Sequence, residues 1–188
     1  MNIGKINKDI NEEFNKITKN IVNFFLSKKT INLQILSEFL SRQIDEKTKL
    51  LTENLENYLM EEAKNKLKNQ DIEIQNKFFE KDFRSKINQW FQMETLTHDF
   101  QIPKLSKFLI LLFDKLEKAM PSSDIFAGPK ETIRDQKEQE IERKINKHLN
   151  ENKTFFKQSV KKVIEKFNNE FYEFCKENNI NWEKNNDK

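Results

Sequence analysis

Glycine and proline are nearly absent from this sequence. The chain has 188 residues, of which 2 are Gly and 3 are Pro. No Pro occurs before Pro103, and no Gly occurs between Gly4 and Gly128. A β-sheet protein of this size needs many tight turns, and such turns depend on Gly, Pro, Asn or Asp. Because strict apolar/polar alternation is also nearly absent, the sequence argues against a sheet and predicts an all-α fold.

Cysteine is nearly absent as well, and the sequence has no long apolar run and no large excess of one charge. Cys175 is the single cysteine, which excludes an intramolecular disulfide and favours a reducing compartment. The longest apolar run, Phe108 to Phe113, is far shorter than the roughly 20 residues that span a bilayer, and the polar N-terminus lacks the pattern of a secretory signal. We therefore expect a cytoplasmic protein without a transmembrane segment. The net charge of +3 is too small to argue for nucleic acid as a partner.

The residues that are present describe a thin core and a charged surface. Hydrophobic residues make up 36% of the chain and charged residues 35%, against about 45–50% and 25% in an ordinary globular domain. Phenylalanine occurs 17 times. Since each ring buries a large area, a chain with few apolar positions can still close a core.

Apolar residues recur at steps of three and four along most of the chain, which predicts an elongated bundle of about five to six long amphipathic helices. We expect four helices, at about 3–28, 31–68, 71–96 and 103–120, to form an N-terminal bundle over residues 1–120. A loop at 121–129 follows, because it holds one of the two glycines and two of the three prolines. Residues 130–178 are expected to form one long helix or a helix pair that packs on the bundle, and residues 179–188 a frayed tail.

The clearest stripe lies on the first helix and is typical of a helix that packs along its whole length; it comprises Ile3, Ile6, Ile10, Phe14, Ile17, Ile21 and Phe24. A core formed by 188 residues is expected to be too small to cover every stripe of this length, so a second copy or another protein should cover the remainder. The leading hypothesis is therefore a non-enzymatic helical scaffold or interaction protein that self-associates or docks a protein partner. We expect no enzymatic activity, cofactor, metal ion or small-molecule substrate.

The segment from 153 to 168 offers an alternative function, binding to an anionic membrane surface or to nucleic acid. It is a basic amphipathic stretch in which apolar residues lie between five lysines, namely Lys153, Lys157, Lys161, Lys162 and Lys166. The simpler interpretation, which we favour, is that the apolar residues are core and the lysines form their solvated back.

Arg143 and His148 provide a second alternative. Their spacing resembles the Arg-x4-His motif of the HEPN ribonucleases, an all-α family in which the two residues of two copies meet across a dimer to cut RNA. The resemblance implies that Arg143 and His148 would be catalytic residues. Lys144 departs from that pattern, because the family prefers Asn, Asp or His after the Arg.

Two aromatic or apolar segments are open to either a core or a partner-binding interpretation, and core is favoured for both. One is the stripe expected on the third helix, which comprises Ile74, Phe78, Phe79, Phe83, Ile87, Trp90 and Phe91. The other is the run from Phe108 to Phe113. Because that run leaves the fourth helix without a polar face in its middle, we expect this helix to be central, with Leu109 and Leu112 inside.

Overall fold

Six α-helices make up nearly all of the structure, which is a computed structural model that describes residues 3–27, 32–95, 102–118 and 130–180. The helices are α1 (Ile3–Ser27), α2 (Leu33–Leu67), α3 (Ile72–Glu80), α4 (Phe83–Thr95), α5 (Ile102–Lys118) and α6 (Lys130–Glu177). No strand occurs in these described ranges, and the predicted all-α helical bundle is confirmed. Within the same ranges, no helix is long and apolar enough to cross a membrane.

The helices form two compact units, each of which is assembled from segments far apart in the sequence. The first, here called the aromatic unit, contains the described residues of Met1–Ile10, Thr48–His98 and Phe155–Lys188. The second, here called the α5 unit, contains those of Asn11–Lys47 and Asp99–Thr154. The predicted division into a bundle over residues 1–120 and a packing helix over 130–178 stays a prediction.

Phenylalanine rings fill the core of the aromatic unit, which explains the use of this residue in the sequence. The Phe78 ring lies 4.5 Å from the ring of Phe83, 5.3 Å from that of Phe171 and 5.1 Å from that of Phe174, measured between centroids. These distances are typical of stacked and edge-to-face aromatic pairs. The cluster joins α3 and α4 to the C-terminal half of α6.

Polar pairs interrupt the apolar core of the α5 unit. The Thr18 hydroxyl donates to Asn146 Oδ1 at 2.7 Å, and the Ser37 and Ser106 hydroxyls lie 3.0 Å apart. Each pair joins two different helices. Buried polar groups need partners, so these pairs favour one alignment of the helices over others.

The prediction of one helix over 71–96 is wrong in one respect, because two helices occupy this range. α3 ends at Glu80 and α4 begins at Phe83. The Asp82 carboxylate accepts a hydrogen bond from the Ser85 backbone N–H at 3.1 Å, the geometry of a helix N-cap. Continuous helix over 71–96 would have placed Phe79 and Phe83 on one face; with the break, Phe83 is buried and Phe79 is exposed.

The helix expected at 103–120, here α5, is also less central than predicted. Leu109 and Leu112 are buried, as expected, but Leu111 is 61% exposed. The helix is therefore apolar on more of its circumference than its packing uses. The prediction failed because composition alone does not say how many sides of a helix have neighbours.

The last helix answers a question that the sequence left open. α6 is continuous from Lys130 to Glu177 and ends in a Schellman motif. Asn179 has a φ of 54°, and the Ile180 N–H donates to the Cys175 carbonyl at 2.8 Å. The loop predicted at 121–129, and residues 181–188 of the predicted tail, lie outside the described residues.

Candidate docking surface

The exposed side of α3 carries two large apolar side chains in one row. Ile72 is 76% exposed and Phe79 is 41% exposed. They are seven residues apart, so they lie within about 20° of each other around the helix axis. We call this pair the apolar row of α3.

A small set of contacts holds α3 in place. Phe78 is the only buried residue of α3, and its ring lies edge-on to that of Phe79 at 5.3 Å. Gln75 Nε2 donates to the Gln70 carbonyl at 2.9 Å, and Lys81 Nζ pairs with Glu177 at 3.2 Å. Phe79 is therefore positioned before any partner arrives, which limits the entropy lost on binding.

An acidic row lies beside the apolar row. Glu73 and Glu80 are also seven residues apart, about 100° around the helix from Ile72 and Phe79, and both are exposed. Lys77 Nζ lies 3.3 Å from Glu73 Oε1. Because both of these side chains are well exposed, that pair contributes little to stability. Lys77 offsets the charge of Glu73, and Glu80 leaves the row with a net negative charge.

Sequence reasoning missed this surface. It assigned Phe79 to the core and left Ile72 outside every stripe. The available signal was the Lys81-Asp82 pair, since Asp at this position is a typical helix N-cap. If the helix is interrupted there, Phe79 and Phe83 no longer have to lie on the same face.

The five lysines proposed as an anionic-surface contact lie on α6, where the apolar half of their segment is core. Phe156, Val160, Val163, Ile164 and Phe167 are all buried. A helix that lies on a membrane inserts its apolar face, and these five residues face protein instead.

Acidic residues pair with three of those lysines. Lys162 Nζ and Lys166 Nζ lie 2.8 and 3.0 Å from the Glu94 carboxylate, which joins α4 to α6. Hydrogen bonds from these two lysines lower the pKa of Glu94. Lys161 lies 4.0 Å from Glu165. Of the other two, Lys153 belongs to the α5 unit and Lys157 to the aromatic unit.

Arg143 and His148 are on different sides of α6. Arg143 is exposed, whereas the His148 ring is half-buried against Phe108 of α5, with a centroid distance of 4.0 Å. Five residues of helix turn the two positions about 140° apart. Burial lowers the pKa of His148, as do the positive charges of Lys104 and Lys147, so the imidazole is neutral at pH 7.

We expect no cleavage of single-stranded RNA by the purified protein, because the His148 ring is half-buried against Phe108 and is not open to a substrate. A fluorescent RNA substrate followed by gel electrophoresis measures this. Arg143→Ala and His148→Ala are the matched variants. Cleavage that both substitutions abolish would contradict the expectation and support the HEPN alternative.

Other chemistry has little support among the described residues. They include no group of three His, Cys, Asp or Glu that could hold a metal ion. A groove between α1 and α2 of the aromatic unit, rimmed by Lys5, Asp9, Tyr58 and Glu61, has a volume of about 210 Å³. Small-molecule sites typically enclose about 300–1,000 Å³. The Cys175 thiol is buried, which raises its pKa and keeps it protonated.

Comparison with known proteins gives no further guide to function. No protein-family model, curated protein or solved structure matches this chain. The surface of α3 is therefore interpreted from its own geometry and chemistry.

Proposed function

We propose that this protein is a non-enzymatic helical interaction module that docks a protein partner on the apolar row of α3. The observation that carries the proposal is the exposure of Ile72 and Phe79 in one row on a helix that the buried Phe78 anchors to the core. Apolar residues at a spacing of seven are the pattern by which amphipathic helices meet a partner.

The composition of the apolar row of α3 is typical of a binding surface. Exposed apolar residues scattered singly are common, but a row with an aromatic member on a pre-positioned helix is typical of an interface anchor. Burying both side chains at about 25 cal/mol per Å² of apolar area favours association, provided that the partner adds further contacts around them.

Self-association was the other half of the sequence hypothesis, and its original argument has weakened. That argument required another chain to cover the stripe of α1. Five of the seven stripe residues are buried within the single chain, namely Ile6, Ile10, Phe14, Ile17 and Ile21. A homo-oligomer stays a prediction, and docking of a different protein is the better supported proposal.

Photocrosslinking from α3 tests the proposal. A benzoylphenylalanine placed at Phe79 in cells that produce this protein is expected to give one discrete adduct, which mass spectrometry identifies. The same probe at Met93 of α4, which is 62% exposed in the same unit, is the matched control and is expected not to give that adduct.

Binding of the purified partner then completes the test. Ile72→Asp places a charge in the apolar row and is expected to weaken binding about tenfold or more, while circular dichroism stays unchanged because Ile72 supports nothing in the core. Identical adducts from positions 79 and 93, or a partner indifferent to Ile72→Asp, would contradict the proposal.

A further inference from the structure

We infer that the partner presents an amphipathic helix whose apolar residues are flanked by lysine or arginine. The inference rests on the proposed docking function and adds the chemical class of the partner. It is argued from the acidic row that runs parallel to the apolar row on α3.

The acidic row is placed where a docked helix would meet it. Glu73 follows Ile72 and Glu80 follows Phe79, so each carboxylate lies beside one of the two apolar side chains. Phe78, which faces the core, lies on the other side of the apolar row. A helix seated on Ile72 and Phe79 therefore has carboxylates along one edge and protein along the other.

Charge complementarity follows from this arrangement. Lys77 offsets the charge of Glu73, but acidic residues of a partner along that edge would face like charges, and neutral residues would partly desolvate Glu80 without supplying a cation. Lysine or arginine at a matching spacing of seven would pair with Glu80 and add to the pair at Glu73. The long stems of these residues also cover apolar surface while their charges stay near solvent.

An antiparallel second copy of α3 fits this surface poorly. If two antiparallel copies met through their apolar rows, the two-fold axis would bring the acidic rows of both copies to the same edge of the interface. Four glutamates would then lie along one edge, where like charges oppose association. A basic helix from another protein avoids this repulsion.

Three synthetic helical peptides test the inference. They share one apolar row at a spacing of seven and differ only in the flanking residues, which are Lys, Gln or Glu. Titration calorimetry with the full-length protein is expected to show that the Lys peptide binds about tenfold more tightly than the Gln peptide, with the Glu peptide weakest. The advantage of the Lys peptide should shrink as the salt concentration rises.

Two double variants identify the carboxylates that are responsible. Glu73→Gln/Glu80→Gln is expected to bring the Lys and Gln peptides to nearly equal affinity. Glu165→Gln/Glu173→Gln removes the same charge from exposed positions of α6 and is expected to leave the preference intact. Ile72→Asp should weaken binding of all three peptides.

Each other outcome overturns a defined part of the inference. Equal affinity for the Lys and Glu peptides would overturn the basic flank and leave docking on α3 standing. If none of the peptides bound, the inference that the partner presents an amphipathic helix would be wrong. The crosslinking experiment tests docking on α3 separately. Light scattering that reveals a dimer dissociated by Ile72→Asp would assign the surface to a second copy.

Discussion

Phe78→Ala is expected to lower the free energy of unfolding by about 3–5 kcal/mol, as is typical of large-to-small changes in a core. The Phe78 side chain is fully buried, with 0% exposure, and touches the rings of Phe83, Phe171 and Phe174. It is also the only buried residue of α3, so its loss removes the main contact that holds this helix on the aromatic unit. Urea unfolding followed by circular dichroism measures the change.

Phe79→Ala is the matched control, since it makes the same chemical change one residue later in the chain. Phe79 is partly exposed, and its truncation is expected to change stability by no more than about 1 kcal/mol. If the two variants lost equal stability, the assignment of Phe78 to the core and Phe79 to the surface would be wrong. The pair therefore also tests the orientation of α3, on which the proposed docking surface depends.

Much of the fold follows from spacing in the sequence. The stripe of α1 has steps of three and four, and the same spacing predicts most buried positions of α6, from Ile141 to Phe174. Such spacing is informative because a helix turns about 100° per residue, so a consistent phase marks one buried side. The near-absence of glycine and proline from the first hundred residues, where Gly4 is the only one, was equally informative, since it favoured helices over a sheet.

The candidate surface was harder to predict, because it depends on the end of one helix and not on its periodicity. Residues 71–96 keep an apolar pattern that continuous helix would also satisfy. The break rests on a single side-chain cap at Asp82, worth only about 1 kcal/mol, and tertiary contacts of Phe78 and Phe83 decide whether it forms. The exposure of Leu111 on α5 depends on which helices pack beside it. The composition of α5 carries no information about those neighbours.

An ion pair between α1 and α2 leads to a second prediction. The Lys47 side chain is 21% exposed, and its ammonium lies 2.8 Å from Glu13 Oε2 on α1. The Glu13 side chain is only 8% exposed and also pairs with Lys16 at 2.5 Å. Glu13 and Lys47 are charged residues at poorly exposed positions, and they form an ion pair between α1 and α2.

Lys47→Met is expected to destabilise the protein by about 2–3 kcal/mol, because it leaves a buried carboxylate with only one cation. Glu13→Leu should cost less, about 1 kcal/mol, since the long Lys47 side chain can turn its charge toward water. The double variant Glu13→Leu/Lys47→Met is expected to recover most of the loss, because an apolar pair replaces a buried ion pair at little net cost. Additive losses in the double variant would show that the two side chains do not interact.

Acid titration of the same variants provides an independent check with a defined sign. Burial by itself raises the pKa of Glu13, but the ammonium groups of Lys16 and Lys47 outweigh it, so the folded-state pKa lies below the ordinary value of 4.5. A carboxyl group with a lowered pKa stabilises the folded state fully above its unfolded pKa, and this stabilisation is lost as the pH falls through the folded value. Between about pH 5 and pH 3, wild-type stability should therefore fall more steeply than that of the double variant, which has no carboxyl group at this position. Parallel stability curves over this range would mean that Glu13 is not held in its charged form by the two lysines.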